Sequence, residues 1–125
     1  MRLLLDTNVL LWTIAGDARV LPLKDRLLDD DNEVFVSVAS YWEVAIKAGI
    51  GKLNVDVAEL RQAARLSGFL ELPVLGPHTE QLARLPALHR DPFDRLLVAQ
   101  AQAEPMRLLT SDALLAGYGS AVEVI

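Results

Sequence analysis

A chain of 125 residues, 52% apolar and with a mean hydropathy of +0.28, has the size and core-forming content of one folded domain, which excludes a disordered chain. Twelve Lys and Arg against 17 Asp and Glu leave a net charge of −5, so it is no general basic nucleic-acid binder; any nucleic acid it handles needs local basic patches and metal ions. The lack of cysteine excludes a disulfide framework, a thiolate metal site and zinc-finger readings.

In chain order, Leu3 to Leu5 is a short continuous apolar run, the pattern of a fully buried strand, ending at Asp6-Thr7-Asn8. Val9 to Ala15 follows as a helix closed by Gly16. Pro22 opens a second helix through Leu28, and Asp29-Asp30-Asp31-Asn32 reads as solvated loop before a β-branched strand, Val34 to Val38. Ser40 to Ala48 is the next helix, ended by Gly49 and Gly51. Asp56 and Glu59 form a capping-box pattern for a helix through Leu66, and Gly68 precedes a strand at Phe69 to Leu75. Pro77 opens a short helix to Leu85. After the loop Pro86 to Asp91, Pro92 starts a helix that is apolar nearly all round from Phe93 to Ala103. Leu108-Leu109 makes the fourth strand, Ser111 to Ala116 a short helix, Gly117 to Ser120 a turn and Val122 to Ile125 a last strand.

Strands alternating with helices indicate a single α/β domain, residues 1–125, with a central parallel sheet covered by helices on both faces. Asp6 and Asn8 interrupt the apolar N-terminus before a signal-peptide core forms, and no apolar run approaches the roughly 18 residues of a membrane span. A soluble, cytoplasmic protein is expected, with some apolar surface covered by a partner.

Four acids, Asp6, Glu43, Asp94 and Asp112, each stand where a strand or loop hands over to a helix. In an open α/β sheet such positions converge in the crevice outside the carboxyl ends of the strands. Structural roles compete at every one. Asp6 and Asp112 suit helix N-caps, Ser40-Tyr41-Trp42-Glu43 reads as a capping box, and Asp94 sits in a first helical turn where the dipole favours an anion. Asp91 can cap that last helix, so Asp94 is not needed for it. Two carboxylates about 4 Å apart repel by about 4 kcal/mol at an effective dielectric of 20, so four that converge must spread, protonate or bind cations. Oxygen ligands without Cys or paired His suit Mg²⁺ or Mn²⁺. One or two such ions activate water and neutralise charge on a phosphodiester, which is nuclease chemistry.

On these motifs the chain resembles PIN-domain ribonucleases, most closely toxins of the VapC type. The matching segments are Leu3-Leu4-Leu5-Asp6-Thr7-Asn8; Ser40 to Lys47 running on to Gly51-Lys52-Leu53; His89-Arg90-Asp91-Pro92-Phe93-Asp94-Arg95 on to Ala101; and Leu109-Thr110-Ser111-Asp112. The resemblance implies a PIN-like sheet of order 3-2-1-4-5, Mg²⁺- or Mn²⁺-dependent cleavage of RNA, and inhibition by a small cognate antitoxin. It places the acidic roles on Asp6, Glu43, Asp94 and Asp112, with Thr110 as polar support.

The resulting expectation is an endoribonuclease in which Asp6 and Asp94 hold the principal ion while Glu43 and Asp112 assist or take a second. Thr7, Asn8, Asp91 and Thr110 support them, and water attack leaves 5′-phosphate and 3′-hydroxyl ends. Lys47, Lys52, Arg90 and Arg95 flank the motifs and can hold RNA phosphates, though each also suits a solvated surface. His78 and His89 read as structural or exposed, with a substrate contact a lesser option for His89; Trp12 and Trp42 read as packing or interface anchors. Without metal, the clustered carboxylates are expected to titrate above their unfolded values. Leu10, Leu11, Trp12 and Ile14, with Trp42 and Ile46, suggest a homodimer bearing an apolar groove for an antitoxin segment. Two other readings stay open: a phosphotransfer or phosphatase-type domain with a strand-end Asp nucleophile, and a non-catalytic interaction module whose acids are only caps.

Overall fold

Leu3, Leu4 and Leu5 are fully buried, as a continuous apolar run must be in the middle strand of a sheet covered on both faces. A computed structural model describes residues 1–125. Its strands are β1 (Arg2–Leu5), β2 (Glu33–Ser37), β3 (Leu70–Leu72), β4 (Arg107–Thr110) and β5 (Val122–Val124). Every neighbouring pair is parallel and the order is β3-β2-β1-β4-β5.

The register explains the sorting of side chains. Leu3 pairs with Val34, and Leu5 with Val36 and Leu109; these share one face. Leu4 pairs with Phe35 and Leu108, and these face the other way. On the first face pack α1 (Thr7–Ala15), α3 (Val38–Gly49) and α4 (Val57–Leu66), through Val9, Leu10, Tyr41, Val44, Leu60 and Ala64. The 3₁₀ turn Ala18–Leu23, leading into α2 (Lys24–Leu28), adds Val20 and Leu23. The second face is covered by α6 (Pro92–Ala103), by Leu85 at the end of α5 (Gly76–Arg84), and by the 3₁₀ turn Ala113–Tyr118. Each fully buried Leu contributes about 2 kcal/mol, so the two layers dominate stability. Leu97 to Ala101 of α6 are all buried, and the one polar member, Gln100, accepts from the Ser37 hydroxyl at 2.6 Å and donates to the Pro73 carbonyl at 3.3 Å.

Four boundaries differ from the sequence expectation. The helix expected from Pro22 begins as the 3₁₀ turn containing Pro22, and regular α2 starts at Lys24. The second strand stops at Ser37, whose hydroxyl accepts from Ala39 N–H, so α3 starts at Val38 and the Ser40–Glu43 capping box does not form. The third strand ends at Leu72, because Pro73 has no N–H to continue the ladder. Asp112 caps a 3₁₀ turn that takes in Gly117 and Tyr118, and the chain turns afterwards at Gly119, φ +104°. No helix is long and apolar enough to cross a membrane.

Candidate active site

Parallel strands deliver their carboxyl ends to one rim, and the four acids follow from that. Asp6 comes directly after β1, Glu43 lies on α3 just after β2, and Asp112 lies two residues after β4. Asp94 reaches the rim in the first turn of α6.

Asp6 is only 4% exposed and has both oxygens engaged. Its Oδ1 accepts from Val9 N–H at 2.8 Å, capping α1, and its Oδ2 accepts from the Thr110 hydroxyl at 2.6 Å. Thr110 in turn accepts from Asp112 N–H at 3.0 Å, so one buried hydroxyl ties the ends of β1 and β4. Burial raises the Asp6 carboxyl above the usual carboxylate range, against the lowering effect of the Thr110 and Val9 bonds.

Glu43, 5% exposed, is released from capping because α3 begins five residues earlier. Its Oε1 accepts from the Thr7 hydroxyl at 2.7 Å, and Thr7 Oγ1 lies 3.0 Å from the Ser40 hydroxyl. Its Oε2 accepts from the Lys47 ammonium, one turn on, at 2.6 Å. That bond raises the Lys47 pKa, with the charges of Asp91 and Asp94 adding in the same direction.

Asp91 and Asp94 divide their labour. Asp91 Oδ1 accepts from Phe93 N–H at 2.8 Å and Asp94 N–H at 3.2 Å, which makes Asp91 the N-cap of α6. Asp94 accepts no hydrogen bond. Burial first, then the charges of Asp91, Asp6 and Glu43, push its carboxyl up to about 7, with His89 opposing. The expectation of uniformly raised carboxylates fails at Asp112, whose Oδ2 accepts from His89 Nε2 at 2.8 Å and whose pKa is lowered chiefly by that bond. Its Oδ1 caps the 3₁₀ turn through Leu114 N–H.

The remaining candidates separate by position. Asn8 is exposed and makes no hydrogen bond to the four acids. Arg90 and Lys52 are exposed and form no ion pair, whereas Arg95 is half-buried and directs its guanidinium to the Leu85 carbonyl at 3.4 Å, its Nε unpartnered. His78 is buried and structural: Nδ1 accepts from Leu75 N–H, and Nε2 is hydrogen-bonded to Glu104. Trp12 packs against the core under the Arg19 guanidinium, and Trp42 is 60% exposed, edge-on to Phe93. Sequence reasoning underrated His89, whose link to Asp112 is tertiary, and missed Ser40 and the Tyr118 hydroxyl, which accepts from His89 N–H. The Lys47–Glu43 pair was legible, because residues four apart on a helix are neighbours.

Hard oxygen donors, one of them without any donor of its own and pushed toward neutrality by its neighbours, suit a divalent cation such as Mg²⁺ or Mn²⁺. Asp94 is the acid most open to it, whereas Asp6 already holds a donor on each oxygen.

The PIN domain family model matches residues 3–119. The chain belongs to the PIN domain family. Three solved structures share this PIN fold over nearly their whole length. VapBC2 from Rickettsia felis, bound to a DNA fragment from its promoter, superposes with a TM-score of 0.74 at 18% identity, covering 99% of this chain and 98% of that one. VapBC-1 from nontypeable Haemophilus influenzae gives 0.68 at 14% identity, with 99% and 98% covered. A toxin-antitoxin complex from Klebsiella pneumoniae gives 0.65 at 22% identity, with 97% and 95% covered. At these identities the likeness is one of fold. No protein of curated function matches the sequence.

Proposed function

We propose that this PIN domain is a metal-dependent endoribonuclease of the VapC toxin type, silenced by a cognate antitoxin. The observation that carries the reading is that Asp94, half-buried at the rim, caps nothing, accepts no hydrogen bond and is pushed toward neutrality by burial and by the charges of Asp91, Asp6 and Glu43. An interaction module with acidic caps leaves Asp94 without a purpose, and burying a carboxylate unpaired is costly. A phosphotransfer nucleophile fits poorly too, because Asp6 has both oxygens held by donors and little access.

When bound between Asp6 and Asp94, a divalent ion supplies the Lewis acid that makes water nucleophilic and offsets phosphodiester charge. The chain's own groups do the rest. Thr110 and Val9 N–H fix the Asp6 carboxylate, and Asp91 caps α6 so that Asp94 is free to face the rim. Thr7 and Lys47 hold Glu43 in place. Unpaired Arg90 and Lys52 are available for backbone phosphates, which the acidic rim alone repels. Attack by water, not by the 2′-hydroxyl, leaves 5′-phosphate and 3′-hydroxyl ends.

The antitoxin and homodimer part of the reading rests on exposed apolar surface. Leu10 is spent on the core, but Val38, Trp42 and Ile46 of α3 and its C-cap Ile50 repeat every fourth residue, all exposed. Leu11 and Ile14 line a groove of about 330 Å³ against α4. The likeness to chains solved in toxin-antitoxin complexes supports a protein partner for such surfaces. Incubating the purified protein with RNA and Mg²⁺ or Mn²⁺, with EDTA as control, tests the activity; no cleavage with either ion, in protein freed of any partner, overturns it.

A further inference from the structure

The donors around the rim are unequally shared, and this bears on how many ions the proposed metal site takes. Asp6 receives two neutral donors and Asp94 none. Glu43 receives the one fully charged donor in the site, the Lys47 ammonium, opposite the Thr7 hydroxyl. Lys47 pairs with Glu43 alone, and the charges of Asp91 and Asp94 favour its ammonium in the same direction.

The other seat for a second ion is the trio His89, Asp94 and Asp112, whose ligating atoms lie within 4.8 Å of one another. Its chemistry is wrong for a histidine ligand. His89 Nδ1 accepts from Asp91 N–H at 3.0 Å, so the ring proton is on Nε2, aimed at Asp112. A coordinating imidazole gives up the proton on the liganding nitrogen and carries one on the other, hydrogen-bonded to an acceptor. Here the other nitrogen faces a donor. His89 therefore positions Asp112 and does not ligate.

Resting on the metal-dependent reading above, we propose that the site takes a single divalent ion, between Asp6 and Asp94, and that Lys47 is a positioning residue whose ammonium fills the second cation seat at Glu43. Lys47 then serves the acidic rim from within the protein, and is not free to hold RNA phosphate in the resting state. Removing its charge vacates a seat at Glu43, whose Oε2 then has no cation, and a second ion enters.

Mn²⁺ titration of the metal-free full-length protein, without RNA, tests this by calorimetry and by the electron paramagnetic resonance signal of free Mn²⁺. Wild type and Lys47→Arg are expected to bind one Mn²⁺ per chain and Lys47→Met two, with thermal unfolding confirming that each variant is folded. Because Lys47 is partly exposed and on the helix surface, its replacement spares the core. Two ions on wild type overturn the proposal. One ion on wild type and Lys47→Met alike, with equal affinity, overturns it while leaving the metal site standing. No ion on any of the three overturns the metal-dependent reading and this inference with it.

Discussion

Thr110 donates its hydroxyl hydrogen to Asp6 Oδ2 at 2.6 Å across 104 residues of chain, and the Thr110 Oγ1 accepts from Asp112 N–H. This one buried group fixes the orientation of an acid at the end of β1 and the backbone of another after β4. A hydrogen bond to a charged group is worth about 1.5–3 kcal/mol. Thr110→Val should therefore lower single-turnover RNA cleavage about ten- to hundredfold, and Thr110→Ser should restore most of it. Equal rates for Val and Thr would remove Thr110 from the site.

Asp6→Asn and Asp94→Asn are both expected to abolish cleavage, but their effects on folding should differ. Asp94 accepts no hydrogen bond, so Asn leaves the structure intact and relieves repulsion in the metal-free protein. Asp6 caps α1, and Asn retains an acceptor for Val9 N–H while disturbing the Thr110 bond. Circular dichroism and melting without metal should show Asp94→Asn more stable than wild type at neutral pH, by about 4 °C for each kcal/mol of repulsion removed. Full activity in either folded variant would sink the assignment.

The pH dependence follows from the sign of the shift at Asp94. Its folded pKa of about 7 lies above the unfolded value, so the folded state binds the proton more tightly. That contribution is fully present below the unfolded pKa, is lost progressively as pH rises from about 4, and is gone above about 7. Asp6, also raised, acts in the same direction. Asp112, lowered by His89, acts oppositely: its stabilisation is present above its unfolded pKa and is lost as pH falls through the folded one. Metal-free protein should lose stability between pH 4 and 7 in the Asp94-dependent part, and millimolar Mg²⁺ or Mn²⁺ should restore it by binding only the native state. A wild-type profile parallel to that of Asp94→Asn, or no shift with either ion, would contradict this.

Ser37, and not Ser40, caps α3, and the two serines give a clean comparison. Ser37→Ala removes the acceptor for Ala39 N–H and leaves Gln100 Oε1 without its donor, and should cost about 1–2 kcal/mol in urea unfolding. Ser40→Ala loses only a contact to Thr7 and should cost less. The reverse order would restore the capping box at Ser40–Glu43.

On the outer face of α3, Trp42→Glu and Ile46→Glu change exposed positions, so the monomer should remain folded. Light scattering of the isolated protein should show a dimer that the variants weaken. A strictly monomeric wild type that copurifies with nothing from its native host would leave the stripe without a partner.

Much of this protein could be read along the chain. Apolar runs located the strands, Gly16 and Gly68 the helix ends, and the order of motifs the four acids, because each depends on residues within a turn or two of one another. The sheet order came with the resemblance. What only the tertiary structure decided was which acid is free. Ser40-x-x-Glu43 satisfies the capping pattern locally, yet burial of Ser37 against Gln100 of α6 starts the helix earlier and turns Glu43 toward Thr7. The sequence offered Asp91 as the cap of α6, and the hydrogen bonds there give it that role, whereas the charges that set the protonation of Asp94 come from Asp6 and Glu43 on other elements. His89 is held to Asp112 by a contact 23 residues away, and Asp6 to Thr110 by one of 104. Periodicity reports which face of an element is buried, whereas the protonation and freedom of a carboxylate depend on donors and charges that folding brings in from elsewhere.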